Sequence, residues 1–375
     1  GRQFLDQVVG QARVVALGES THGNREFLLL RNSVFRHLVE TQGFTAIAVE
    51  SDFALATAID DYVMGQGKLS DELVASVFSF AAPQAWNENR QLLEWIRAYN
   101  DRTEARRKIR FYGLEMMGHV LQTAQPPADR PLRSALQYMA SVEPASAASF
   151  RQRTDRLLAQ LVSTAYPKEE GASTPYDKLG KVQQDALTVA IAETVSLFER
   201  RQVEWVGKSS RLAYERGYRS ALNAAALDAD FRTRGWWLSR TGDRGQRDAM
   251  SARNLKWALE QEGPQGRVFV FAANTHVTTS DRGCADAKQN SRWTSMGTHA
   301  KQWFGGQMVA IASVTGSKGA QCEASCSGIV QLACSLASSG HAVAAVHPGA
   351  ASADANGFDA VVYVKQLTAV DGGKK

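Results

Sequence analysis

Val14-Val15-Ala16-Leu17-Gly18-Glu19-Ser20-Thr21-His22-Gly23-Asn24-Arg25-Glu26-Phe27 contains an apolar run that stops at Gly18 and a helical pattern that starts after Gly23. Between them stand a carboxylate, Glu19, and an imidazole, His22, with no apolar cover. Ligands of open α/β sheets bind outside the carboxyl ends of the strands. A strand–turn–helix carrying these two groups is therefore where chemistry is expected.

The same alternation recurs on either side. Residues 13–17, 45–49, 108–113, 267–272, 307–313 and 359–364 read as buried strands. Apolar spacing from Phe27 to Val39, with Gly43 as a stop, reads as a helix, and further helices are expected over Ala54–Met64, from Trp86 and from Arg247. Strands alternating with helices point to an α/β fold: a mostly parallel central sheet with flanking helices. From 120 to 245 the pattern changes to long amphipathic helices, Leu132–Val142, Phe150–Val162, Lys181–Glu204 and Leu212–Phe231. These are expected to form a helical insertion, a lid over the C-terminal ends of the strands. The chain thus divides into 1–119 as the first part of the core, 120–245 as the insertion and 246–375 as the second part. Residues 316–357 carry little pattern beyond loop and one short helix near Gly328–Leu336.

With 375 residues, 44% of them hydrophobic, the chain can bury a substantial core. A formal charge of +5, with both signs intermixed, and the lack of a nucleic-acid motif argue against nucleic acid as a partner. No run approaches the roughly 20 apolar residues of a membrane span, which leaves a small molecule as the expected partner. The chain starts at Gly1, which reads as a trimmed N-terminus. Its four cysteines, Cys284, Cys322, Cys326 and Cys334, cluster in the C-terminal third without a zinc pattern. Two disulfides in an exported, periplasmic protein are the expectation, with buried thiols in a cytoplasmic one as the alternative.

Four strand ends present polar groups: Glu19 with His22, Glu50, Glu115, and Asn274 with His276. One carboxylate after a strand is ordinarily a solvated loop residue, and one histidine beside it a cap. Several acids and two histidines at equivalent places point instead to an active site. Carboxylates beside an imidazole raise its pKa and fix its tautomer, making a general base near neutrality. Arg31, farther along the helix that follows His22, is the candidate to stabilise negative charge. A serine nucleophile is disfavoured, because His22 occupies the position where a nucleophile elbow requires glycine. Glu19, His22, Glu50 and His276 match no metal-binding signature. Metal-free acid–base catalysis with no cofactor is expected, and a metal-dependent hydrolase is the alternative.

The motif Gly18-Glu19-Ser20-Thr21-His22-Gly23 with Glu26-Phe27 resembles the opening block of the erythromycin esterase family. Arg31, Ala48-Val49-Glu50, Trp86 to Trp95, Gly113 to Glu115, Arg247-Asp248 with Met250 and Asn254, Asn274–His276 and Met296-Gly297 resemble its later blocks. The resemblance implies a metal-independent hydrolase that opens macrolide lactones with a histidine-activated water. Carried over, His22 is the general base, Glu19 and Glu50 orient it or the substrate, and Arg31 is the charge-stabilising partner. His276 becomes an auxiliary acid or substrate contact, with Glu115, Asn274 and Glu26 also on the substrate side. This sequence departs from the family at Ala273, where a histidine is usual, and at Glu115, where aspartate is commoner. An alanine can neither shuttle a proton nor donate a hydrogen bond. The departure points to another ester, or to a cyclisation or elimination on a natural product.

Overall fold

Alternating large and small apolar side chains along the strands give the sheet two unlike faces. In the computed structural model, residues 2–77, 86–116, 129–161, 175–233, 245–280, 293–315, 343–346 and 357–365 are described. The first half comprises α1 (Arg2–Val9), β1 (Val14–Glu19), α2 (Arg25–Gln42), β2 (Ala46–Asp52), α3 (Phe53–Val63), α4 (Asp71–Ser76), α5 (Trp86–Asn100) and β3 (Arg110–Glu115). A helical stretch follows: α6 (Arg130–Val142), α7 (Pro144–Leu161), α8 (Pro175–Lys178), α9 (Lys181–Lys208) and α10 (Arg211–Arg232). The last part is α11 (Gly245–Gln261), β4 (Val268–Ala273), α12 (Asn274–Val277), α13 (Met296–Phe304), β5 (Met308–Thr315), β6 (Val343–Val346) and β7 (Ala360–Val364).

The strands form one sheet in the order β3-β2-β4-β1-β5-β7-β6. Six run parallel, and β6 pairs antiparallel with β7 at the edge. One face carries Val15, Leu17, Ile47, Val49, Phe269 and Phe271, packed under Phe27, Phe35 and Leu38 of α2 and Leu92 and Ile96 of α5. The other face carries the smaller Ala16, Ala48, Val270 and Ala310, on which Leu255 and Trp257 of α11 and Met296 and Ala300 of α13 lie. Small side chains there let those two helices approach the sheet closely. Gly43, at φ 70°, ends α2 in the left-handed conformation that a residue with a Cβ resists.

The α/β sheet is as the alternation implies, with differences in detail. The strands extend past the apolar runs, so that Glu19, Glu50, Glu115 and Ala273 lie inside them and not in the turns beyond. Parallel ladder bonds continue through a polar residue when its side chain has a buried partner, and an apolar-run reading misses this. Strand β6 was not anticipated, since four small apolar residues at a sheet edge carry no pattern of their own. Helices α1 and α13 were also not anticipated. The helix expected near 328–336, and all four cysteines with the disulfides expected of them, lie outside the described residues.

The helical stretch α6–α10 packs around a core that includes Leu132, Leu136, Phe198, Trp205, Tyr214 and Leu227. It stands along the α3 and α11 flank. Low on the sheet, Arg216 of α10 bonds Asp60 and Asp61 of α3, and Asp60 also holds Arg110 and the Phe111 N–H at the start of β3. Higher up, Asn223 pairs with Asn254 of α11, which donates to the Leu114 carbonyl. At the strand ends Arg130 of α6 meets Asp52 at 3.3 Å. The segments joining the insertion to the core at that end, 117–128 and 234–244, lie outside the described residues. No helix among the described residues is long and apolar enough to cross a membrane.

Phe269 is fully buried and stacks on Phe35 at 5.6 Å between centroids. Truncating it empties the centre of the larger-residue face. Phe269→Ala is expected to cost about 3–5 kcal/mol, read as a lower denaturation midpoint with an unchanged slope in urea. A loss below about 1 kcal/mol would mean that α2 does not depend on this contact.

Candidate active site

Glu19 is the last residue of β1, in register with Ala273 of β4. Its Oε1 lies 2.6 Å from His22 Nδ1, across a turn reversed by Gly23 at φ 75°. Asn24 ties that turn by donating to Thr21 Oγ1 at 2.7 Å. Glu19 is buried, whereas the His22 side chain is 37% exposed, so the pair spans from the core to the surface. Burial opposes a charge on His22, but the hydrogen bond to Glu19 and the charges of Glu19 and Glu50 outweigh it and raise its pKa. Burial pushes the Glu19 carboxyl up, restrained by the His22 bond and charge and by Arg31.

Behind this pair stands Arg247, in the first turn of α11 and fully buried. Its Nη2 donates to Glu50 Oε1 at 2.5 Å, its Nε to Glu115 Oε2 at 2.8 Å and its Nη1 to His276 Nε2 at 2.9 Å. One guanidinium therefore joins the ends of β2 and β3 to α12, which follows β4. A guanidinium can only donate, so His276 accepts on Nε2 and carries its proton on Nδ1, 2.8 Å from Asp248 Oδ1. The same Asp248 oxygen accepts the Met296 N–H at the start of α13. Glu50 Oε2 accepts the Ala273 N–H at 2.8 Å.

The two carboxylates on Arg247 are driven apart. Burial alone would raise Glu50, but Arg247, the charged form of His22 and the Ala273 N–H together hold it well below the usual carboxylate range. For Glu115 burial prevails over Arg247, and the nearby Glu50 charge adds to it, so its pKa rises. Two carboxyls beside a single cation, tuned in opposite directions, form a set able to hold and pass protons.

The structure thus gathers Glu19, His22, Glu50, Glu115 and His276. Arg31 is fully buried on α2, bonded to Asn32 and Asn89 with its guanidinium over the Phe271 ring at 5.3 Å. Burial lowers its pKa to about 10, so it remains a cation at neutral pH, and its charge acts on Glu19. Asn274 has a framework role: it donates to the Ser313 carbonyl at 2.9 Å and packs on Gly18. A Cβ at Gly18 would fall 2.2 Å from Asn274 Oδ1, which is why glycine precedes Glu19. Glu26 stands half-buried in the first turn of α2.

Arg247 and Asp248 were absent from the candidate residues although they belong to a recognisable block. The available signal was an Arg-Asp pair at a helix start with no solvent-facing pattern. Among the described residues no three His, Cys, Asp or Glu side chains are grouped to hold a metal ion. Glu50 and His276 face Arg247, whose permanent charge would repel a cation placed there.

A family profile described as erythromycin esterase matches residues 39–331. Over 284 residues the chain is 26% identical to an erythromycin esterase type II of Escherichia coli, covering 73% of this chain and 62% of that protein. It is 28% identical over 120 residues to an erythromycin esterase type I of the same organism, covering 30% of this chain and 26% of the relative. The chain therefore spans about three fifths, or less, of the curated relatives it matches. Among solved structures, a Bacillus cereus protein superposes with TM-score 0.70 at 16% identity, covering 98% of this chain and 92% of that one. A variant of the erythromycin esterase EreC in its open conformation gives 0.69 at 17%, covering 98% and 95%. A succinoglycan biosynthesis protein gives 0.67 at 15%, covering 97% and 90%. At these identities the structural likenesses show the fold alone.

Removing the guanidinium strands two buried carboxylates. Arg247→Met is expected to destabilise the protein by about 3–5 kcal/mol at neutral pH, measured by urea denaturation. The Glu50 part of the native stability follows from its depressed pKa. It is present above the ordinary carboxylate pKa and is lost as pH falls through the depressed value, so the penalty shrinks in acid. A variant as stable as the parent at pH 7 would contradict this arrangement.

Proposed function

Since the chain belongs to the erythromycin esterase family, we propose that it is a metal-independent hydrolase that opens an ester or lactone of a small hydrophobic metabolite through a water activated by His22. The observation that carries this reading is the His22–Glu19 pair, half-exposed imidazole on buried carboxylate, at the end of a central strand. Glu19 holds the ring by Nδ1 and stabilises its protonated form. The ring takes a proton from water as the hydroxide adds to the carbonyl carbon. Collapse of the tetrahedral intermediate expels the alkoxide, which recovers the proton from His22. Glu50 adds negative charge behind the ring, and the Arg31 charge favours the ionised form of Glu19 against its burial. Glu115, His276 and Arg247 keep Glu50 in place, and Glu26 lines the substrate side.

The names of the curated relatives support a macrolide lactone within this substrate class, and with it a part in antibiotic resistance. The proposed domain arrangement, core parts 1–119 and 246–375 around the insertion 120–245, puts the insertion beside the cleft as its lid. Ala273 favours a second reading. A methyl group in register with Glu19 replaces the histidine expected from the family, which suits a cyclisation or elimination that uses the acid–base set without water.

The test is turnover of a panel of macrolides and aryl esters in oxygen-labelled water, with and without chelator. Hydrolysis is expected to survive chelator, to place label in the new carboxylate, and to fall about 100-fold or more in His22→Ala. Turnover without label would instead favour the second reading, and loss on chelation that metal restores would favour a metal-dependent hydrolase. No turnover by the parent protein would sink the esterase proposal.

The base must be neutral to act, so kcat/KM is expected to rise with pH through an inflection above the ordinary histidine value of 6.5. Glu19→Gln removes the charge that raises it and is expected to move that inflection downward. An inflection unmoved by Glu19→Gln would show that another group is the base.

A further inference from the structure

Arg31 is a fully buried cation held by neutral groups. Its Nε donates to Asn32 Oδ1 at 3.0 Å and its Nη2 to Asn89 Oδ1 at 2.9 Å. Among the described residues its Nη1 has no hydrogen-bond partner, and the acids that act on it, Glu19 and Glu88, do so through space without a bond to it. Glu88 is itself engaged, its Oε1 accepting from Arg25 Nε at 2.7 Å. Burying a charge without an opposite one is costly, and Arg247 shows the ordinary remedy, two carboxylates on one guanidinium. Around Arg31 the fold supplies amide oxygens instead, and both amides are locked. Asn32 Nδ2 donates to the Glu88 carbonyl at 2.8 Å and Asn89 Nδ2 to the Val74 carbonyl at 3.3 Å, so each turns its oxygen to Arg31.

We propose that Asn32 and Asn89 are positioning residues of the site: they hold Arg31 through neutral oxygens, so that its positive charge is left to favour the ionised Glu19 that carries His22. The inference rests on the proposed role of His22 as base. An ionised Glu19 keeps the ring proton on Nδ1 and leaves the Nε2 lone pair to act on water. With a proton on Glu19, its hydroxyl would donate to Nδ1, the ring proton would sit on Nε2, and no lone pair would face the substrate. An aspartate at either amide position would pair with Arg31 and offset the charge felt at Glu19. The other charges that face the Glu19–His22 pair are Glu50 on β2 and Arg247 on α11, and Arg247 is already bonded to Glu50 and Glu115. His276 on α12 accepts from Arg247 and so adds no charge. Among the described residues, Arg31 is therefore the arginine acting on Glu19 that no bonded acid offsets.

The test reads His22 directly, from the ring-nitrogen chemical shifts of the full chain over a pH series, and needs no turnover. Asn89→Asp is expected to move the titration of the Glu19–His22 pair to higher pH, a gain of about threefold or more in proton affinity. An added negative charge makes the pair hold its proton more tightly whichever of the two groups carries it. Arg31→Met, which deletes the positive charge, is expected to move the titration in the same direction. Asn89→Leu removes the same hydrogen bonds without adding a charge, and is expected to lower the urea midpoint while leaving the titration in place. A titration unmoved in either Asn89→Asp or Arg31→Met overturns the proposal. So does one moved as far in Asn89→Leu, which would make geometry and not charge the cause. The expected shifts in a parent protein without turnover would sustain this inference and sink the esterase reading, so the two fail separately.

Discussion

A single buried cation fixes the geometry on which the candidate site depends. Arg247 reaches Glu50 at the end of β2, Glu115 at the end of β3 and His276 on α12. Ionised acids cannot be withdrawn from water unless something compensates their charge, and here one guanidinium serves two of them. Asp248 and the start of α13 then fix the tautomer of His276, so that its lone pair faces Arg247. Each group is positioned by the next, and the only imidazole of the set turned outward is His22.

The sheet makes such a cluster practicable. Its two faces carry side chains of different bulk, which sets α2 and α5 on one side and lets α11 come close on the other. That close approach brings Arg247 over the strand ends. Gly18 serves the same geometry, because Asn274 fills the space that a Cβ would occupy and ties β4 to β5 through Ser313. Catalytic precision of the proposed kind depends on such framework contacts as much as on the groups that would touch substrate.

Ala273 closes β4 in register with Glu19. Its N–H is still used, donating to Glu50, while its side chain is only a methyl. That position therefore contributes a backbone donor and no side-chain chemistry.

The sequence by itself determined the alternation of strands and helices, the parallel sheet, the long helices of the insertion, and Glu19, His22, Glu50, Glu115 and His276 as strand-end groups. These are local signals: apolar periodicity, glycine stops and polar residues that interrupt buried runs. Tertiary structure alone decided that Arg247 joins three of these groups, that Asn274 is part of the framework, and that Arg31 acts on Glu19 from full burial. It also decided that β6 pairs at the sheet edge. The physical reason is separation along the chain. Arg247 is 197 residues from Glu50 and 132 from Glu115, and no local pattern records which buried charges will share one partner.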